Sequence, residues 1–465
     1  MSKKYDIAII GAGPGGYVAG IRARQLGLSV ALIEKYRPGG VCLNWGCIPS
    51  KSLIHSADTY RKVLKTDKWG LKIDTTAFEY SKVHAESRVV AETLSKGVQG
   101  LIRRNKIDYY DASARISSKD TIDITDTNKK KSSITAKNII IATGSSPREI
   151  PGYAFDGSRI LSSTDMLSLT KLPKKLAILG AGAIGVEFAF VANAFGVEVI
   201  LIEMLPRVLP NEDSELAEEF KKQLESQGIQ IILSTKAGTP TIKKDGLTIP
   251  LTSGNKQSVL EVDSVLVGVG RVPNTNDIGL ENVDLETDKG YIPVGDYYQT
   301  KVPSIFAIGD VVNTPALAHV ASKEGEMVVE HIAGKSSETG VDLDLIPSAV
   351  YSEPQVASFG KKERDLEQSK RPYTKKIFPY RGAGKSIAVG ASEGFVKILT
   401  DEQTNEILGC HVMGKEATEI IHSLLLAKQS ELLPEDIAKM IHAHPTISET
   451  VLEVSKSVGG SAIHI

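Results

Sequence analysis

An α/β chain with two dinucleotide-binding units, followed by a separate α+β region, is the fold this sequence predicts on three observations. A short apolar strand, Tyr5 to Ile10, runs into the turn Gly11-Ala12-Gly13-Pro14-Gly15-Gly16, then a helical stretch to about Leu26 and a second strand ending at Glu34. The same order recurs from Leu176 through Gly180-Ala181-Gly182-Ala183-Ile184-Gly185 to Glu203. From about Pro347 the pattern changes to strands and then helices, with no glycine turn of that kind.

Each turn has the residues a pyrophosphate needs. Gly11, Gly13 and Gly16, and again Gly180, Gly182 and Gly185, allow a tight turn, close backbone approach and close helix-strand packing, while the helix N-terminus favours negative charge. Glu34 and Glu203 stand where a carboxylate takes ribose hydroxyls, each 23 positions after the first glycine, so the units are offset by 169 residues. A single such turn also arises from packing alone; two in full β-α-β context predict two Rossmann-like domains. A carboxylate at 203, with Met204-Leu205-Pro206 after it and Arg207 further off, favours NAD over its 2′-phosphorylated counterpart.

Between the units a helical region is expected over roughly 50–105, then a polar hairpin over 117–135 whose lysines 129–131 read as a solvated turn. Buried strands ending in glycine turns are expected at Asn138 to Gly144 and Ser264 to Gly270, and one ending in an acid at Phe306 to Asp310. The C-terminal strands are placed at Ala349 to Ser352, Phe395 to Thr400 and Ile407 to Met413.

With 465 residues, 55 basic and 56 acidic side chains and a formal net charge of -1, the chain has several cores' worth of length and no basic surface for nucleic acid or an anionic membrane. The apolar span from Leu176 to Ile202 is interrupted by Glu187 and Glu198 and reads as strand, turn, helix, strand rather than a membrane helix. An apolar strand so near the first residue leaves little room for a secretion signal, so the expected compartment is the cytoplasm.

Three cysteines cannot scaffold such a chain. Cys42 and Cys47 lie in Gly39-Gly40-Val41-Cys42-Leu43-Asn44-Trp45-Gly46-Cys47-Ile48-Pro49-Ser50-Lys51, and a closely spaced pair in a reducing compartment is redox-active or metal-binding. Five residues of ideal helix rise about 7.5 Å, beyond the reach of a disulfide, so bridging requires the irregularity that Gly46 and Pro49 offer. A helix beginning near Cys47 would lower that thiol's pKa. Zinc needs further ligands, and His55 is the only nearby candidate, so no metal is expected. Cys410, in an apolar strand, reads as an inert core thiol. Thiol chemistry also needs a base, and His444 with Glu449 five residues on offers one; a histidine in a surface loop is the competing reading.

These residues together resemble the flavin disulfide reductases over the whole chain. The resemblance rests on Gly11 to Gly16, Gly39 to Lys51, Ala142-Thr143-Gly144, Gly180 to Glu187, Gly270-Arg271-Val272-Pro273-Asn274, Ala307 to Asp310, Leu317-Ala318-His319 and His444 to Glu449, all in family order. Leu43-Asn44 and Ile48 to Lys51 are most similar to the branch that oxidises dihydrolipoyl groups, and the tail from Gly459 lacks the second redox pair of the mercuric and larger thioredoxin reductases. The resemblance implies an FAD-binding domain begun by 1–147, an NAD-binding domain at 148–273, a central segment 274–346 completing the FAD domain and a C-terminal dimerisation domain at 347–465. It implies Cys42 as the interchange thiol, Cys47 as the charge-transfer thiol, and His444 with Glu449 as base and orienting partner, reaching across a homodimer. Lys51 and Glu187 would pair beside the flavin. Gly11, Gly13, Gly16, Glu34, Ala114, Thr143, Gly144, Ser145, Asp310, Ala318 and His319 would hold FAD; Gly180, Gly182, Gly185, Glu187, Glu203, Ala237 and Gly270 would hold NAD. Implied partners are lipoyl domains of 2-oxo acid dehydrogenase complexes or the glycine cleavage H protein; a reductase of another disulfide is the alternative. The chain departs from the family at Ala112-Ser113-Ala114, Ala383-Gly384-Lys385-Ser386 and Lys415-Glu416.

Overall fold

The structure, a computed structural model, describes residues 3–335 and 338–464. It divides into two compact units, each assembled from three stretches of chain: residues 1–52, 81–148 and 270–341 in the first, and 53–80, 149–269 and 342–465 in the second.

In the first unit Lys4–Ile10 is the middle of a parallel sheet, paired with Val30–Glu34 on one side and with the end of Lys131–Ile141 on the other. Ile305–Ala307 pairs beyond that strand, and Asp108 to Asp111 pair beyond Val30–Glu34. Two of these strands are long. Asp108–Ser118 and Lys131–Ile141 run past the parallel sheet and take Thr121–Asp126 between them in an antiparallel meander. The polar hairpin expected over 117–135 is the far half of that meander, and the turn at lysine 129 has the left-handed backbone of a loop tip. Side chains alternate along the central strand: Ala8 and Ile10 pack into one cluster with Ile139 and Ile141, while Ile7 and Ile9 pack into the other with Ala19, Leu32 and Met327. The second face is covered by the helices Pro14–Gln25 and Ala318–Ile332, which pack through small residues; a Cβ on Gly325 would lie 2.6 Å from the carbonyl oxygen of Gly15.

In the second unit five parallel strands run in the order Gln230–Ile232, Glu198–Ile202, Lys175–Leu179, Ser264–Val267 and Ile160–Leu161. The span from Leu176 to Ile202 is therefore strand, helix (Ala183–Ala194) and strand. Among the described residues no helix is long and apolar enough to cross a membrane. A second, antiparallel sheet has the order Ser348–Val350, Gln355–Gly360, Ile407–Gly414, Phe395–Asp401 and Tyr373–Pro379, covered by Ala417–Gln429 and Glu449–Val458. Two of its strands escape the sequence reading. Gln355–Gly360 follows a proline directly, and Tyr373–Pro379 carries two lysines and ends in proline, the composition of a protected edge strand. Cys410 is fully buried in Ile407–Gly414.

The helical region after the cysteines is broken into Gly40–Trp45, Cys47–Val63, a single turn at Thr66–Trp69 and Tyr80–Arg104. The first break is the one that matters for chemistry.

Candidate functional site

Gly39, in the left-handed region at φ 93°, starts the short helix that carries Cys42, and Gly46 ends it at φ -152°, ψ -116°. A second helix begins at once with Cys47. Changing axis between the cysteines removes the separation an unbroken helix would impose, and the two thiols come within hydrogen-bonding reach of each other. A side chain at 46 would press on this arrangement, since its Cβ would lie 3.0 Å from the Val41 carbonyl oxygen and 3.4 Å from the Cys42 Cα. Asn44 stitches the short helix by donating to the carbonyls of Pro38 and Gly40 at 3.2 and 2.9 Å.

The two sulfurs are not equivalent. The hydrogen bond to the Cys47 sulfur, together with burial, pushes the Cys42 thiol up, partly offset by the nearby Lys51 cation. Cys47 is the first residue of a helix, where the exposed N–H groups favour a thiolate. The half-buried Arg271 guanidinium lies within electrostatic reach of it. Burial and the neighbouring sulfur thus favour the protonated form of Cys42, while Cys47 stands at a helix start.

Around the first glycine turn, Glu34 is buried, and its carboxylate accepts the N–H groups of Ala12 at 2.8 Å and Tyr36 at 2.9 Å. A Cβ on Gly16 would fall 1.9 Å from the Gly11 carbonyl oxygen, so that glycine closes the turn. Gly13 is different. Its Cβ would meet only another glycine's Cα, at 4.0 Å, and it precedes a helix whose N-terminus has no side-chain cap. That space and the uncapped helix start would suit a dinucleotide pyrophosphate. Thr143 and Gly144 are laced to Asn274: the Thr143 hydroxyl donates to the Asn274 carbonyl at 2.7 Å, and the Asn274 N–H to the Gly144 carbonyl at 2.8 Å. Ser145 donates its hydroxyl to Asp310 and accepts from Arg271 Nε at 2.7 Å. Arg271 also donates to the Ser145 carbonyl at 2.6 Å. The sequence reading had Arg271 inside a motif but gave it no part to play. Only the antiparallel pairing of Ser145–Pro147 with Arg271–Pro273 places it on Ser145. Ala318 and His319 open the helix Ala318–Ile332, and Ala114 lies in the meander opposite Ile124.

The second turn repeats the first. Buried Glu203 accepts from Ala181 N–H and Leu205 N–H, each at 2.8 Å, a Cβ on Gly185 would fall 1.9 Å from the Gly180 carbonyl oxygen, and one on Gly182 would meet nothing within 4 Å. The open position again fits the approach of a dinucleotide phosphate. Glu187, in the helix after the turn, accepts from the Tyr351 N–H at 3.0 Å, and Ala237 pairs with Leu251. Gly270 has φ 114° at the edge of the first unit.

In the second unit the His444 imidazole meets Glu449 with Nδ1 2.9 Å from Oε1, while the other carboxylate oxygen accepts the Thr446 N–H at 2.9 Å. Burial opposes the charge on Glu449, but the Thr446 N–H and His444 outweigh it and hold the carboxyl below its usual range. An ionised carboxylate only accepts, so the proton of a neutral imidazole sits on Nδ1 and leaves Nε2 as a base.

Residues 5–325 match the family model described as pyridine nucleotide-disulphide oxidoreductase, and residues 346–455 match that family's dimerisation domain. The chain belongs to the pyridine nucleotide-disulphide oxidoreductases. It is 40% identical to dihydrolipoyl dehydrogenase 1, mitochondrial, of Arabidopsis thaliana, over all of this chain and 92% of that protein. It is 39% identical to the dihydrolipoyl dehydrogenase of Bacillus subtilis over the full length of both. Leghemoglobin reductase of Glycine max is 38% identical over 98% of this chain and 87% of its own length. Among solved structures, LpdA from Mycobacterium tuberculosis superposes with a TM-score of 0.91 over 98% of this chain and 99% of its own, and at 24% identity that likeness concerns the fold. The HOCl-induced flavoprotein disulfide reductase RclA from Escherichia coli has a TM-score of 0.87 at 25% identity, covering 98% of this chain and 100% of its own. The chain is thus an oxidoreductase of this family, with the family's dimerisation domain.

Proposed function

We propose that this oxidoreductase oxidises dihydrolipoyl groups to lipoyl disulfides and reduces NAD, using FAD and the Cys42–Cys47 pair. The observation that carries the reading is the thiol pair astride the helix break, with the Cys42 thiol pushed up and Cys47 at a helix start, in a chain about 40% identical to dihydrolipoyl dehydrogenases end to end. In the oxidised enzyme the two sulfurs form a disulfide. A dihydrolipoyl thiol, deprotonated by His444 Nε2 of a second copy of the chain, attacks Cys42; the Cys42–Cys47 bond breaks and Cys47 leaves as the thiolate. The second lipoyl thiol then attacks the sulfur joined to Cys42, that bond breaks, and its proton passes to the departing Cys42 sulfur, releasing lipoyl disulfide and leaving Cys42 as the thiol and Cys47 as the thiolate. FAD, when bound, supplies the two-electron carrier between that dithiol and NAD. Gly11, Gly13, Gly16, Glu34, Ala114, Thr143 to Ser145, Asp310, Ala318 and His319 hold it, with Lys51 and Glu187 as the pair beside its ring. Glu203, Gly180, Gly182, Gly185, Ala237 and Gly270 hold NAD.

The same reading makes 1–147 and 274–346 the FAD domain, 148–273 the NAD domain and 347–465 the surface of a homodimer. Its partners are lipoyl domains of 2-oxo acid dehydrogenase complexes or the glycine cleavage H protein, and its compartment is the cytoplasm. Purified protein should be yellow and should make NADH from dihydrolipoamide and NAD. Glutathione disulfide reduction with NADPH, in place of that reaction, would refute the substrate assignment.

A further inference from the structure

The loop that leaves Glu203 is fastened at both ends. Its near end is tied to the second glycine turn: Glu203 accepts from Ala181 and Leu205, and the Leu209 N–H donates back to the Ala181 carbonyl at 2.8 Å. Leu209 is buried with φ 43°, in the left-handed region that a side chain of its kind enters only when its surroundings leave no choice. At the far end, several side chains of the C-terminal region reach the loop. Arg364 donates to the Pro210 and Asn211 carbonyls at 2.8 and 3.2 Å. Glu212, buried, accepts the hydroxyls of Ser348 at 2.7 Å and Ser358 at 2.5 Å. Asp213, buried, accepts from the Lys397 ammonium at 2.8 Å. Four consecutive residues are therefore gripped by two strands of the antiparallel sheet, a third that supplies Lys397, and the helix Glu363–Ser369. Within the loop, Arg207 donates to the Ser214 hydroxyl, which commits its guanidinium toward the following helix.

We propose that this clamp positions the NAD-binding loop: Arg364, Ser348, Ser358 and Lys397 hold residues 204–213 in the strained shape that sets Glu203 and the Gly180–Gly182 turn for an unphosphorylated ribose and keeps Arg207 away from a 2′-phosphate. The proposal rests on the reading of this unit as the NAD site. It makes the C-terminal region a determinant of cofactor affinity and not only of dimerisation. Arg364 and the serines are positioning residues that act through the loop.

The test separates the two half-reactions. In Arg364→Ala the apparent affinity for NADH, read by anaerobic reduction of the flavin, should fall about tenfold, the effect of losing a charged donor's hydrogen bonds to two loop carbonyls. Discrimination against NADPH should narrow, and reduction by dihydrolipoamide without NAD should keep its rate. Ser358→Ala provides a milder second lesion at an independent point of the clamp. NADH affinity within twofold of wild type in both Arg364→Ala and Ser358→Ala overturns the proposal, as does a loss that strikes both half-reactions equally. Wild-type flavin that NADH does not reduce would overturn the NAD reading and the clamp with it, whereas normal wild-type reduction with unchanged variants overturns the clamp alone.

Discussion

His444 has one ring nitrogen committed to Glu449 and a side chain 75% exposed, so within one chain nothing desolvates the nitrogen left to act as a base. General-base catalysis commonly contributes 10²–10⁴-fold, and His444→Gln should slow oxidation of dihydrolipoamide by about that factor while leaving flavin reduction by NADH intact. Stopped-flow measurement of the two half-reactions checks this; an unchanged thiol half-reaction would return His444 to an ordinary surface loop. At the other acid, Glu203→Arg removes a carboxylate that accepts two backbone N–H groups and brings a cation to the ribose. Steady-state kinetics with each cofactor should then shift in favour of NADP, since the arginine can pair with a 2′-phosphate that the carboxylate repels. Unaltered selectivity would place the carboxylate elsewhere.

The two β-α-β elements make a sharper claim than either residue, because their glycines fail differently. Gly185→Ala would put a Cβ against the Gly180 carbonyl, so the turn must open; a loss of about 1–3 kcal/mol in stability, read by denaturant unfolding, should accompany weaker NADH binding. Gly182→Ala meets nothing within 4 Å and should fold as well as the parent, yet bind NADH poorly because its methyl occupies the space left for the phosphate. If Gly182→Ala kept full affinity, the turn would not be a phosphate cradle. The helix break at Gly46 belongs to the same scale. It was legible as an irregularity the cysteines required, and the structure supplies it by ending one helix and beginning another.

Across the second unit, the Lys397 ammonium is wholly buried among Asp213, Glu215 and Glu363, a trio of carboxylates close enough together to hold a cation. Burial works against the charged lysine, but its bonds to Asp213 and Glu363 outweigh it and hold its pKa above the usual value. Burial likewise opposes the charge on Glu363, and Lys397 holds that carboxyl below its usual range. The lysine's contribution to stability is therefore present below the ordinary lysine pKa and lost only as pH rises past it. The glutamate's contribution is present above the ordinary carboxylate pKa of about 4 and lost as pH falls below it. Lys397→Met leaves the buried Asp213 without its cation, while Lys375 still pairs with Glu215 and Glu363, and should cost about 3–5 kcal/mol near neutrality. The gap in melting temperature between variant and parent should narrow in acid, and a gap independent of pH would mean that the ammonium is not what the cluster needs.

The sequence by itself determined both β-α-β units and the acids that end them, and it set Cys42 near Cys47 and His444 near Glu449 while leaving the surface-loop reading of His444 open. In each case the residues concerned lie five positions apart or repeat a spacing that periodicity alone reveals. What only the tertiary structure decided depends on strand register between distant segments. Ser145 meets Arg271 because two strands far apart in sequence pair, and meets Asp310 because Ile305–Ala307, just before that acid, pairs with Lys131–Ile141, just before Ser145. The loop after Glu203 is strained because four side chains from beyond residue 347 close on it. No local pattern announces such contacts: an arginine, two serines and a lysine carry no periodic signal, and their roles exist only once the chain has folded them onto one short loop.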